Sequence, residues 1–144
     1  MGLLDRFRKD PRPALDGEGG ASGDDDEVAP PIPLDVAARR LQLVDLDDAL
    51  RRLARELAAD TVHMANPGWA GMVSDYRAVA AEAARLERDG FDRADLTDLA
   101  AQVVPLWPPR LPEPPQEYRP YADSYRRVEE IVAALRETLP GEQR

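Results

Sequence analysis

The sequence predicts an all-α protein: a four- to five-helix bundle over residues 34–144, crossed by a proline-rich segment and preceded by an acidic linker expected to be disordered. Three observations predict it. Apolar residues recur at three- and four-residue spacing through most of residues 34–139, the period of a helix that buries one face. Helix-starting residues (Asp35, Asn66-Pro67, Asp92) and helix-stopping ones (Gly90, Pro105, Pro140-Gly141) fall at the ends of those runs. The chain has 144 residues with 43% in the hydrophobic set, which suits one core and excludes a multi-domain enzyme.

Residues 1–9, Met-Gly-Leu-Leu-Asp-Arg-Phe-Arg-Lys, read as a short amphipathic docking segment. In a helix Leu3, Leu4 and Phe7 share a face, with Arg6 and Lys9 at its flank. That pattern suits an anionic membrane surface or a groove on a partner protein. Nine residues are too few to be helical alone, and three apolar anchors imply weak membrane contact. The apolar run stops after Leu4, so the segment is not read as a signal peptide. Arg6 stands where a myristoylation signal needs Ser or Thr.

Residues 10–33 read as a Gly/Pro-rich acidic linker. They hold five prolines, four glycines and seven acids against one base, including Asp24-Asp25-Asp26-Glu27. Such a composition buries too little apolar surface to offset its ordering entropy. As a flexible coil it would span about 27 Å. Its glycines, Gly17, Gly19, Gly20 and Gly23, miss the spacing of a dinucleotide-binding loop and follow no strand.

The helical domain is expected to begin at Leu34. Leu34, Ala38 and Leu41 form a first stripe with Asp35 as N-cap; Leu46, Leu50, Leu53, Leu57 and Met64 form a second with Asp45 as cap. The stripes differ in phase, so the spacing predicts a break near Val44–Asp47. One continuous helix from 35 to 65 is the competing reading, and Leu41–Leu46 is also compatible with a short strand. Asn66-Pro67 opens the next helix. Its stripe is Trp69, Met72, Val73, Tyr76, Ala80 and Ala83, and Gly90 stops it. Asp92 caps a short helix through Leu96, Leu99, Ala100 and Val103 to about Val104.

Six prolines in residues 105–115 enforce an extended path. There Leu106, Trp107 and Leu111 are expected to pin a strap across the bundle. The alternative is a docking motif, since Pro105-x-x-Pro108-x-Arg110 matches an SH3-ligand pattern. A last helix is expected from Pro120 to Leu139, with Tyr121, Tyr125, Val128, Val132, Leu135 and Leu139 on its apolar face.

Chemistry-bearing residues are sparse. The chain has no cysteine, one histidine (His63) and three serines (Ser22, Ser74, Ser124). Disulfides and thiolate chemistry are therefore excluded. Asp60-x-x-His63 with Glu56 one turn earlier puts three possible metal ligands on one helical face, but a dinuclear carboxylate site needs two such motifs. No nucleophile elbow occurs. A net charge of −9 opposes nucleic-acid binding. Lys9 is the only lysine among 19 basic residues, a bias attributed to a GC-rich bacterial genome.

The resulting expectation is a non-enzymatic adaptor or regulatory module in the cytoplasm, without cofactor or metal, acting on an unidentified protein partner. The candidate partner-binding residues are Leu3, Leu4, Phe7, Trp69, Met72, Trp107 and Tyr118. The alternatives are a peripheral membrane-associated factor anchored by residues 1–9, and a small metal-binding bundle using Glu56, Asp60 and His63.

Overall fold

The computed structural model describes residues 33–142; the expectations for residues 1–9 and for the linker up to Ile32 lie outside them. Five α-helices follow in order: α1 (Val36–Ala58), α2 (Thr61–Met64), α3 (Pro67–Asp89), α4 (Arg93–Gln102) and α5 (Ala122–Arg136). Short 3-10 turns occupy Gln116–Tyr121 and Pro140–Glu142. No strand occurs among the described residues, and no helix among them is long and apolar enough to cross a membrane. The all-α bundle expected from the sequence is the observed fold.

Asp35 starts α1, its carboxylate accepting from the Ala38 N–H at 3.1 Å. The expected break near Val44–Asp47 is absent, because Leu43, Leu46, Leu50, Leu53 and Leu57 are all fully buried and form one continuous stripe. Leu41, assigned to an inward stripe, points outward at 66% exposure. Asp45 is not a cap either; it sits mid-helix and exposed, 3.7 Å from Arg127. The real interruption comes later. Asp60 caps the separate turn α2 by accepting from the His63 N–H at 3.1 Å, which also ends the continuous helix to residue 65.

The Asn66 side chain accepts from the Gly68 N–H at 2.8 Å, with Pro67 in the first helical position. Gly90 closes α3 at φ 105°, a conformation that L side chains resist. The pairing of Arg40 with Glu87 and of the Trp69 indole with Leu57 shows that α3 runs antiparallel to α1. Asp92 and Asp95 then form a reciprocal capping box for α4, satisfying two of its free N–H groups.

The proline-rich stretch crosses as a strap. Leu106 is buried, Trp107 and Leu111 are half-buried, and the Tyr76 hydroxyl donates to the Val104 carbonyl at 2.7 Å. Burial pushes the Tyr76 phenol far above its ordinary value, so it remains a neutral donor. The last helix is shorter than expected: Pro120 lies in the preceding 3-10 turn and α5 ends at Arg136. Tyr125, Val128, Ile131, Val132 and Leu135 face the core.

Arg39 explains the early end of α5. It is fully buried and occupies the position one turn before Leu43 on the inward face of α1. Its guanidinium donates to the carbonyls of Ala134 (3.0 Å), Leu135 (3.3 Å) and Glu137, capping the negative end of α5. The other side of the guanidinium meets Glu142, also fully buried, at 2.9 Å and 2.6 Å. The Glu142 carboxylate further accepts from the backbone N–H groups of Asp35 (2.9 Å) and Leu139 (3.1 Å), and from Arg93 (2.9 Å). The hydrogen bonds from Arg39, then those from the backbone and Arg93, hold its carboxyl far below the usual carboxylate range against the opposing effect of burial. One charged knot thus joins the starts of α1 and α4, the end of α5 and the Pro140–Glu142 turn.

Candidate interaction surfaces

Of the seven partner-binding candidates, Leu3, Leu4 and Phe7 lie outside the described residues. The structure brings the other four to one side of the bundle but does not leave them uncovered. Trp69 is only 6% exposed, and its indole N–H donates to the Leu57 carbonyl at 2.9 Å. Rings cover both its faces. His63 stacks on one side with centroids 4.4 Å apart, and Tyr118 on the other at 5.4 Å. Trp107 lies 6.5 Å from Tyr118 and edge-on to Tyr125 at 4.8 Å. Trp107, Tyr118 and Met72 are half-buried and packed against the core. This ring series clamps the strap to α3 and α5. Each offset or edge-on pair contributes about 0.5–1.5 kcal/mol beyond area burial.

Glu56, Asp60 and His63 do not converge as a ligand set; among the described residues no group of three or more His, Asp or Glu side chains could hold a metal ion. Glu56 accepts from the Ser124 hydroxyl at 2.7 Å and faces Arg52 at 3.3 Å. Asp60 accepts from the Tyr121 hydroxyl at 3.0 Å and lies 2.7 Å from His63 Nδ1. A carboxylate can only accept, so Nδ1 carries the proton. The His63 backbone N–H, then its ring and the Tyr121 hydroxyl, lower the Asp60 carboxyl below its usual value. These polar groups staple α1 and α2 to the start of α5.

A cleft of about 250 Å³ opens between the strap and α5, lined by Val103, Pro105, Pro109, Tyr125, Glu129 and Arg136 among others. Burial raises the Tyr125 phenol above its ordinary value, which keeps a hydroxyl on its floor. The volume is slightly below that of most small-molecule sites. Pro105 and Pro109, both exposed residues of the strap, form one wall of this cleft.

The outward face of α1 is different in kind. Leu41 at 66% and Val44 at 39% are exposed there. Toward the other end of the helix, Arg51 and Arg55 join Arg77 of α3 around a depression of about 280 Å³. Helical geometry puts Leu41, Val44, Asp48, Arg51 and Arg55 within one arc of the surface. Sequence reasoning missed this face because Leu41 fits a plausible inward stripe. The signal that could have found it is Arg39: the positions four, seven and eleven residues on are Leu43, Leu46 and Leu50, which fixes the inward phase and turns Leu41 out.

No protein family, curated protein sequence or solved structure matches the chain.

Proposed function

We propose that the protein is a non-enzymatic interaction module in the cytoplasm, whose helical domain presents the outward face of α1 to a protein partner. The observation that carries this reading is Leu41, two-thirds exposed beside Val44 on a helix whose opposite side is buried from Arg39 to Leu57. An interaction surface combines such uncovered apolar groups with a polar rim, and here Arg40, Asp45 and Arg52 supply the rim. The polar residues best suited to chemistry are engaged elsewhere in structural bonds: His63 with Asp60, and Ser124 with Glu56.

The test is affinity capture from lysate of the source organism with the intact chain and with a Leu41→Asp/Val44→Asp variant. Captured proteins are purified and titrated back by calorimetry. A direct binder lost in the variant supports the reading. Equal recovery by both chains places the binding elsewhere and refutes it. The membrane alternative rests on Leu3, Leu4 and Phe7, and liposome flotation of the full chain against a chain lacking residues 1–9 decides it.

A further inference from the structure

We infer that the segment docked on α1 is acidic at one end and apolar at the other, its carboxylates held by Arg51, Arg55 and Arg77 and its apolar side chains by Leu41 and Val44. The inference rests on the reading of the α1 face given above and adds the chemistry of the partner.

The chain as a whole carries a charge of −9, yet three guanidinium groups line the depression between α1 and α3. Only Arg51 has a close acidic neighbour, Asp47 at 2.5 Å. Among the described residues no carboxylate lies within ion-pair distance of Arg55 or Arg77. Arg55 is in the last turn of α1, where a cation favours the helix end. That argument does not reach Arg77, which is mid-way along α3. Gathering like charges costs energy in the free protein, and carboxylates of a partner relieve it. Planar guanidinium groups bind carboxylates through paired hydrogen bonds.

The apolar half selects a peptide segment over a small anion. Leu41 and Arg55 are separated by about 21 Å along the helix, a span that a phosphate or sulfate ion cannot use. Asp48 lies between the two halves on the same arc, so the middle of the segment has to be free of acids. This sets the polarity: acidic end over Arg51, Arg55 and Arg77, apolar end over Leu41 and Val44.

The probe is a fluorescein-labelled peptide with two leucines at one end, a Gly/Ser spacer, and a run of glutamates at the other. A control peptide carries glutamine in place of glutamate. Fluorescence anisotropy is read with the full chain, with Arg51→Gln/Arg55→Gln/Arg77→Gln, and with Leu41→Asp/Val44→Asp. All five positions are exposed, so the variants are expected to keep the fold, which circular dichroism checks. The glutamate peptide is expected to bind the wild-type chain about tenfold more tightly than the control. The triple arginine variant and a rise in salt from about 50 to about 300 mM should each remove that advantage.

No binding of the glutamate peptide, equal binding of the two peptides, or an unaffected triple variant each overturns the proposal. Full displacement by millimolar inorganic phosphate also overturns it, by making the depression a small-anion site. If the lysate capture depends on Leu41 and Val44 but not on the arginines, the docking face stands and its acidic partner does not. If it depends on neither, both readings fall.

Discussion

Replacing Glu142 with Gln tests the charged knot at the foot of the bundle. The substitution keeps the shape of the side chain but removes the charge facing Arg39. The Arg39 guanidinium is fully buried and would then meet only neutral acceptors: the amide oxygen at position 142, the Gln42 side chain and the carbonyls of Ala134, Leu135 and Glu137. Breaking a buried pair in this way costs about 3–5 kcal/mol. The lower end is expected, because Arg93, the third member, is 45% exposed and brings the rim of the knot close to water. Arg39→Met should cost a similar amount, since it orphans the carbonyls at the end of α5. The double variant Arg39→Met/Glu142→Gln should lose less than the sum of the two, because each single change already breaks the pair and strands its remaining partner. Urea unfolding with linear extrapolation gives all three values. A loss below about 1 kcal/mol for Glu142→Gln, or strict additivity in the double variant, would refute the account of Arg39 and Glu142 as a mutually dependent pair.

Four further outcomes follow from the same geometry. The depressed Glu142 carboxyl stabilises the fold above its unfolded value near 4.5, and that contribution is lost as pH falls below it; the stability-against-pH curve of Glu142→Gln should therefore be flatter than wild type below about pH 4.5, by up to about 1.4 kcal/mol per pH unit. Leu50→Ala, in the fully buried stripe of α1, should cost about 2–5 kcal/mol in urea unfolding. Gly90→Ala should cost about 1–3 kcal/mol through strain at φ 105° alone, since a Cβ there meets no atom within 4 Å. Asn66→Ala should remove about 1 kcal/mol by losing the α3 cap, with Asn66→Ser restoring most of it in thermal melts.

The punctuation of the fold was legible in the sequence because its causes are local. Asp35, Asn66-Pro67, Gly90 and Asp92 act on backbone groups within a turn of themselves, and each lies where the spacing predicts. The prolines of residues 105–115 likewise forbid a helix by their own geometry. The phase of α1 was not legible from apolar residues alone. Leu41 and Leu43 compete for the inward position, and the decision belongs to a buried arginine that resembles any surface base until its partner is known. That partner is 103 residues away, so no periodicity connects them. The end of α5 failed for the same reason: Leu139 continues the apolar stripe, but the Arg39 guanidinium takes the carbonyls of Ala134, Leu135 and Glu137. The aromatic candidates Trp69, Trp107 and Tyr118 lie near one another in the structure. Their enclosure depends on how rings from five segments interleave, which spacing does not encode.

The stacked rings have an optical consequence. Trp69 belongs to the interior and Trp107 to the crossing strap, and they are the only two indoles in the chain. Replacing one with phenylalanine leaves a single emitter, so a Trp107-only protein would report undocking of the strap while a Trp69-only protein reports melting of the helices. A shift to longer wavelength in the first at a denaturant concentration that leaves the second unchanged would reveal the strap letting go ahead of the bundle, with no added dye.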